Sequence, residues 1–377
     1  MNRRIFLCLC LFAPAFAVGG RQSRQPRTRD QSQTGELFPV SKDGKWGFID
    51  RAGRVRIAPR FESAADFSEG LARVGVGGRV AFVNAAGGIV FRPRFDSAGD
   101  FHEGLAFVET GWKTNPHIGI TTETGRWGFV NRAGRLAVPL KFTRADAFSE
   151  GLAAVQLGES LGERSGFVDH AGRLVFEFPF DVSWGFHEGF ALVRSKQGTF
   201  FLDRAGKKLA TPEIDDYQAR SFSEGLAAVQ INGKWGYVDR TGKLVIPAQF
   251  KDALEFSEGL AAVRLPVDDA HAVTCPLQNP GDTSTNPNLY GYVDRAGRLV
   301  IPPQFEYAKP FSEGLAAVSN CSKPAFIDET GAVVLSVPFD EANAFAGGLA
   351  SVLRYEMGGA RIGYVDRAGK VVWEPTR

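Results

Sequence analysis

Apolar and polar positions alternate along this chain in short runs, and the runs recur as a block. The clearest copy reads Phe222-Ser-Glu-Gly-Leu-Ala-Ala-Val-Gln-Ile-Asn-Gly-Lys-Trp-Gly-Tyr-Val-Asp-Arg-Thr-Gly-Lys-Leu-Val-Ile-Pro-Ala-Gln-Phe250. It holds three strand-like segments: strand a (Gly-Leu-Ala-Ala-Val), strand b (Trp-Gly-Tyr-Val-Asp) and strand c (Leu-Val-Ile-Pro). Their period of two and their β-branched and aromatic residues favour strands over helices. The block returns nine times with a period of about 34 residues. Such a period marks a repeat array in which each unit buries its core against its neighbours.

Turn residues separate the segments. Asn232-Gly233 between a and b is a two-residue hairpin signature, because both residues accept positive φ cheaply. The b–c turn carries a glycine in all nine units: Gly53, Gly87, Gly134, Gly172, Gly206, Gly242, Gly297, Gly331 and Gly369. An Asp or Asn three residues earlier, as in Asp50, Asn84 and Asp239, suits the first turn position, where its side chain accepts backbone N–H groups. A proline closes each strand c, and two phenylalanines per unit are the expected core between units. Glu69, Glu103, Glu150, Glu188, Glu224, Glu258 and Glu313 recur in a Phe-Ser-Glu-Gly-type loop before strand a, with Gly347 in the last copy. Seven equivalent acids read as structural carboxylates bonding backbone amides near the turn rather than as one catalytic pair.

The expected fold is all-β: about nine three-stranded meander units over residues 37–377. The array starts with Leu37-Phe38-Pro39-Val40 and ends with a strand c, Val371 to Pro375. Each end is a whole unit, with no strand split between the termini, and both ends carry proline, which blunts exposed edges. These features favour an open, curved β-solenoid over a closed propeller-like ring.

The pattern resembles the WG-repeat family, named for the Trp-Gly pair that opens strand b. Trp46-Gly47, Trp127-Gly128 and Trp235-Gly236 keep the pair, and Gly-Tyr-Val-Asp-x-x-Gly-Lys-x-Val-Ile-Pro and Phe-Ser-Glu-Gly-Leu-Ala recur from Lys45 onward. The resemblance implies a mainly bacterial interaction repeat without a settled activity. It supplies no catalytic residue, cofactor or metal ligand. Six units lack the tryptophan, so the resemblance does not imply an exposed Trp ladder.

Arg3-Arg4, the apolar run Ile5 to Phe16 and Ala15-Phe16-Ala17 together read as an export signal over 1–17, and Arg3-Arg4-Ile5-Phe6-Leu7 also suits a twin-arginine route. The expected location is periplasmic or extracellular. Residues 18–36, with Arg21, Arg24, Arg27 and Arg29 among Gln, Ser, Gly and Pro, read as a basic disordered linker. Lys and Arg number 44 against 42 Asp and Glu, and two of the arginines leave with the signal, so no net field points to nucleic acid. No segment after the signal is long and apolar enough to span a bilayer as a helix. Of four cysteines, Cys275 and Cys321 remain after the signal, in the a–b connections of successive units; an oxidising compartment pairs them in a disulfide.

Function is expected where copies differ. The a–b connection is long in two units, over 109–124 and 265–289, and insertions in repeat proteins map to one, often binding, face. Trp112, Lys113, His117 and His271 are the candidate partner contacts. The five histidines lack zinc-ligand spacing, and no phosphate loop or nucleophile elbow occurs. The sequence thus suggests an exported, non-enzymatic binding or scaffolding protein that contacts an unknown protein or envelope polymer. The alternatives are a polysaccharide- or peptidoglycan-active hydrolase using paired carboxylates, and a passive spacer.

Overall fold

The computed structural model describes residues 36–92, 95–114, 121–158, 164–268, 272–276, 283–321, 323–357 and 359–374. The export signal at 1–17 and all of the 18–36 linker except Glu36 lie outside the described residues. No described helix is long and apolar enough to cross a membrane.

The sixth unit shows how local sequence makes strands. Strand a runs Leu226–Ile231, b Lys234–Asp239 and c Leu244–Phe250. Asn232 and Gly233 sit at φ 51° and 75°, and Ile231 pairs with Lys234, so the a–b turn is the two-residue hairpin its sequence demands. At the b–c turn, Asp239 Oδ1 accepts the N–H of Thr241 at 2.8 Å and of Lys243 at 3.1 Å, and Gly242 takes φ 84°. Leu226, Ala227, Ala228 and Val229 are all buried, so strand a has protein on both faces. In strand c, Val245 is exposed while Ile246 and Phe250 are buried, which places c at the outside.

The Gly of the Trp-Gly pair has a steric cause. Strand c is bulged: Trp235 pairs with Phe250 and Tyr237 with Ile246. The bulge lays c backbone over Gly236, where a Cβ would meet the Ile246 carbonyl oxygen at 2.6 Å and the Ala248 nitrogen at 2.8 Å. Trp235 itself is buried against Phe250, so the tryptophan packs the unit's core.

A fourth strand was missed in the sequence. The segment read as a polar loop between c and the next a holds a short strand d, such as Ser97–Ala98, Arg144–Ala145, Asp252–Ala253 and Tyr307–Ala308. Sheets two, three, four, seven, eight and nine have strand order d-a-b-c. In the fifth, c shrinks to the bridge Leu202↔Lys208; in the sixth, d shrinks to Ala219↔Val229. The first has only Phe38–Lys42, Lys45–Ile49 and Val55–Phe61, as a, b and c, among the described residues.

The nine sheets stand as blades of a closed ring, and the expected open solenoid is wrong. An aromatic on strand b of each of the first eight blades meets the phenylalanine that lies on strand d of the next or three residues after it, as in Phe48–Phe67 and Tyr237–Phe256, both 4.9 Å between centroids. The last junction joins the termini. Phe38, Val40 and Ile49 of blade one pack with Leu349 and Tyr364 of blade nine in one buried cluster. The Tyr364 hydroxyl donates to the Pro39 carbonyl at 3.0 Å, across 325 residues of sequence. The absence of a shared strand misled because this ring closes through side chains. Phe38 stands where the other units have alanine (Ala72, Ala106, Ala153), and its ring meets Tyr364 at 5.5 Å. It fills the place of the phenylalanine that accompanies strand d in the other blades and is missing from blade one among the described residues.

Phe38 is therefore the closing wedge. Phe38→Ala should lower stability by about 3–5 kcal/mol in denaturant unfolding and should speed proteolysis at blades one and nine first. A loss below about 0.5 kcal/mol, typical of a surface site, would mean that the junction does not hold the ring.

Candidate functional site

Strand order d-a-b-c puts the d–a and b–c turns on one face of the ring and the a–b turns on the other. The two faces differ in chemistry.

The first face carries a crown of carboxylates. All seven loop glutamates adopt left-handed backbone conformations, with φ between 50° and 57°, each followed by a positive-φ glycine. This is a two-residue hairpin turn: Ser223 and Leu226 exchange both backbone hydrogen bonds across Glu224-Gly225. Glutamate in this region costs roughly 1–2 kcal/mol, and a bond to the next blade offsets it. Glu69 accepts the Gly104 N–H at 2.9 Å, Glu103 that of Gly151 at 2.8 Å and Glu150 that of Gly189 at 2.9 Å. Glu188, Glu224, Glu258 and Glu313 do the same for Gly225, Gly259, Gly314 and Gly348. At the closure, the Glu36 carboxylate occupies the space a Cβ on Gly347 would claim.

A basic residue from the b–c turn joins most of these clasps. Arg240 Nη2 lies 2.8 Å from Glu188, His170 Nε2 lies 3.0 Å from Glu103, and Arg132 donates to the Glu69 carbonyl. Burial works to raise the Glu188 pKa, but the Arg240 and Gly225 hydrogen bonds outweigh it and hold the carboxyl below the usual range. Between blades five and seven the crown dips into a cavity of about 700 Å³, lined by Glu188, Glu224, Gly225, Arg240, Glu258, Gly259 and Arg295. Its charges are mixed and its carboxylates are engaged with backbone amides.

The second face carries both insertions. In blade three, strands a and b run on as Leu105–Thr114 and Thr121–Asn131, with Trp112 opposite Glu123 and Lys113 opposite Thr122. In blade seven, a separate hairpin of Val273–Pro276 and Thr283–Asn286 rises between a and b. Both segments, read as loops in the sequence, fold into strands. Trp112 and Lys113 thus have a backbone place, but their side chains, with all of His117 and His271, lie outside the described residues. The blade-seven hairpin meets blade eight: Cys321 Sγ is 3.9 Å from the carbonyl oxygen of Thr274, the residue before Cys275. The Cys275 side chain lies outside the described residues.

Sequence reasoning placed the loop glutamates as carboxylates bonding nearby amides but missed that the bond crosses to the next blade. Their constant neighbour, glycine, was the available signal. Among the described residues, no three His, Cys, Asp or Glu side chains gather as a metal group.

This fold is that of a nine-bladed β-propeller. The chain belongs to the WG containing repeat family, which matches it eight times, over residues 46–79, 81–111, 127–159, 166–198, 200–235, 235–265, 290–320 and 325–354. Among solved structures, the crystal structure of the eukaryotic initiation factor is similar with a TM-score of 0.60 and 12% identity, covering 90% of this chain and 95% of that one. Kluyveromyces lactis Hsv2p aligns with a TM-score of 0.38 and 10% identity, over 61% of this chain and 74% of that one. The Neurospora crassa Pan2 WD40 domain gives 0.33 and 12%, over 72% and 89%. Only the first is close enough to bear on the fold. No curated protein matches the chain.

The crown predicts a pH response. A carboxyl whose folded pKa is lowered stabilises the fold above its unfolded value and loses that contribution as pH falls through the lowered one. Glu188→Gln should cost on the order of 1 kcal/mol at neutral pH. The gap in melting temperature from wild type should close as pH drops below the ordinary glutamate range. A gap that stays constant with pH would show that the ionised clasp contributes nothing.

Proposed function

We propose that this propeller is an exported, non-enzymatic scaffold that binds a protein or an envelope polymer through the face bearing the blade-three and blade-seven hairpins. One observation carries the reading: the two longest departures from the repeat both fold as β-hairpins on the same face. They stand four blades apart in a nine-blade ring, near opposite sides, where one ligand could touch both. The hydrolase reading draws no support from the crown, whose seven glutamates already hold the amides of neighbouring blades. Export rests on the signal-like residues 1–17; in an oxidising compartment Cys275 and Cys321 would pair and fix the blade-seven hairpin to blade eight.

Replacing 109–124 and 265–289 with short Asn-Gly turns should leave the ring folded. It should also lower capture of the partner from envelope extracts at least tenfold, measured by pull-down against the intact chain. Equal capture by both proteins would move the contact to the repeat surface and sink the proposal. For the disulfide, peptide mapping of protein recovered from the envelope fraction, without reductant, should yield one cross-linked species holding Cys275 and Cys321. Two free thiols would remove the tether from this account.

A further inference from the structure

The junctions between blades can be compared within one molecule, and two of them carry a cation at a position where a third carries an acid. The comparison point is the residue two before the strand-d phenylalanine, which faces the next blade. At the junction of blades six and seven this residue is Arg220, whose Nε donates to the Ala253 carbonyl at 2.6 Å and whose Nη2 reaches Asp252 at 3.3 Å. At the junction of blades eight and nine it is Lys309, whose Nζ lies 2.5 Å from Asn343 Oδ1 and 3.3 Å from Glu341 Oε1. Each junction places a side-chain cation among oxygens of the following blade.

At the junction of blades four and five the same position is an acid, Asp146. A cavity of about 10 Å³ remains there, lined by Arg144, Asp146, Gln156, Asp181 and Ser183 with backbone around them. That is room for one water-sized sphere. Gln156 is 4% exposed; its Nε2 donates to the Phe180 carbonyl at 2.8 Å, and its Oε1 has no hydrogen-bond partner. Asp181 has one oxygen on Arg194 at 2.9 Å. Ser183 Oγ already accepts the Gly185 N–H at 3.2 Å. Arg144 comes no nearer to Asp146 than 3.9 Å, and about half of its side chain is in solvent. Asp146 is also partly solvent-accessible, so it stands at the mouth and gives an ion a way in.

We propose that this cavity binds one monovalent alkali cation, Na⁺ or K⁺. The lining supports a cation over a water. A water donates two protons, whereas Asp146, Asp181 and Gln156 Oε1 are three acceptors around one sphere, and a cation can meet all three. Burial pushes the Asp146 carboxyl above its usual value, with Arg144 opposing.

The test is thermal unfolding of the full chain in NaCl, KCl or tetramethylammonium chloride at equal concentrations; tetramethylammonium is too large for the cavity. Na⁺ or K⁺ should raise the melting temperature saturably, by on the order of 2 °C at tenfold over half-saturation. Gln156→Leu, which removes the buried acceptor, should raise the half-saturating concentration about tenfold or more. Asp146→Lys, which brings its own ammonium, should melt near the ion-saturated wild type and ignore the salt. Should Asp146→Lys fail to fold, the Gln156→Leu titration decides alone. Identical wild-type curves in the three salts would mean a water or mere screening, and would overturn the proposal. A cation response that appears only in Arg144→Gln would also overturn it, by showing that Arg144 fills the place in the native protein.

Discussion

Everything in this structure hangs on one contact between blades, an aromatic ring on strand b against the phenylalanine on or just after strand d of the next blade. It occurs eight times, as in Phe82–Phe101, Phe129–Phe148, Tyr292–Phe311 and Phe326–Phe345, with centroids 4.7–5.0 Å apart. Tilted and edge-on ring pairs at this range contribute about 0.5–1.5 kcal/mol beyond the area they bury. Both rings belong to one family repeat: the first match, 46–79, holds Phe48 and Phe67. A sequence repeat is thus half of one blade and half of the next. It cannot complete a core alone, and it fixes a step between blades rather than a blade. A step held within a few tenths of an ångström sets a nearly constant angle, and a constant angle repeated around an axis closes.

Closure then has to be made without a ninth covalent link. Blade one has no strand d among the described residues, and three substitutions against the repeat answer that. Phe38 replaces alanine and fills the missing ring's volume. Pro39 removes an N–H from the side of strand a that the short strand d would otherwise pair with. Glu36 lends the carboxylate that Gly347 lacks. The crown depends on the same geometry. A left-handed glutamate is unfavourable in an isolated hairpin, and it persists here because the next blade's glycine N–H stands where the carboxylate can reach it. Strain and clasp belong to the ring rather than to the unit, so neighbouring blades should melt together.

The repeat, its all-β character, the a–b hairpin at Asn232-Gly233 and the Asp-to-Gly b–c turn were legible in the sequence because each depends on contacts within a few residues. Strand d was not. Its shortest copies are two residues long, and their signal, a small buried residue such as Ala98 or Ala253 three before the phenylalanine, looks like loop composition. Ring closure was hidden for a related reason: it rests on a contact between residues 39 and 364. The one clue, Phe38 where the repeat has alanine, gains meaning only when the missing strand-d ring is known. The role of the loop glutamates was half legible, since the residue type showed a bond to an amide but not whose amide. The candidate contacts Trp112, Lys113, His117 and His271 were found from position alone, and of these the structure adds a strand register for the first two.

The same economy of connections decides which face is free to change. A d–a turn cannot lengthen without losing its glutamate clasp. A b–c turn cannot lengthen without moving the aspartate from the amides it caps, or the glycine from the preceding blade's strand c, where a Cβ on Gly242 would run into the Ala210 carbonyl. The c–d connection is a single residue at four junctions, as between Phe250 and Asp252 and between Phe305 and Tyr307, and it stretches from Lys208 to Ala219 between blades five and six. The a–b turn is clasped within its own blade, where Glu62 accepts the Gly77 and Gly78 N–H groups and Asp215 those of Asn232 and Gly233, and its tip leads to solvent. Insertions can therefore accumulate on one face alone, so location by itself marks tolerance. What goes beyond tolerance is that the blade-three insertion continues the ladder of its own blade and the blade-seven insertion builds a second hairpin against the Cys321 turn of blade eight. A segment that is merely tolerated has no need of paired strands or of a neighbour. Both have paired strands, and the second also has a neighbour, which favours them over the charged crown as the place of binding.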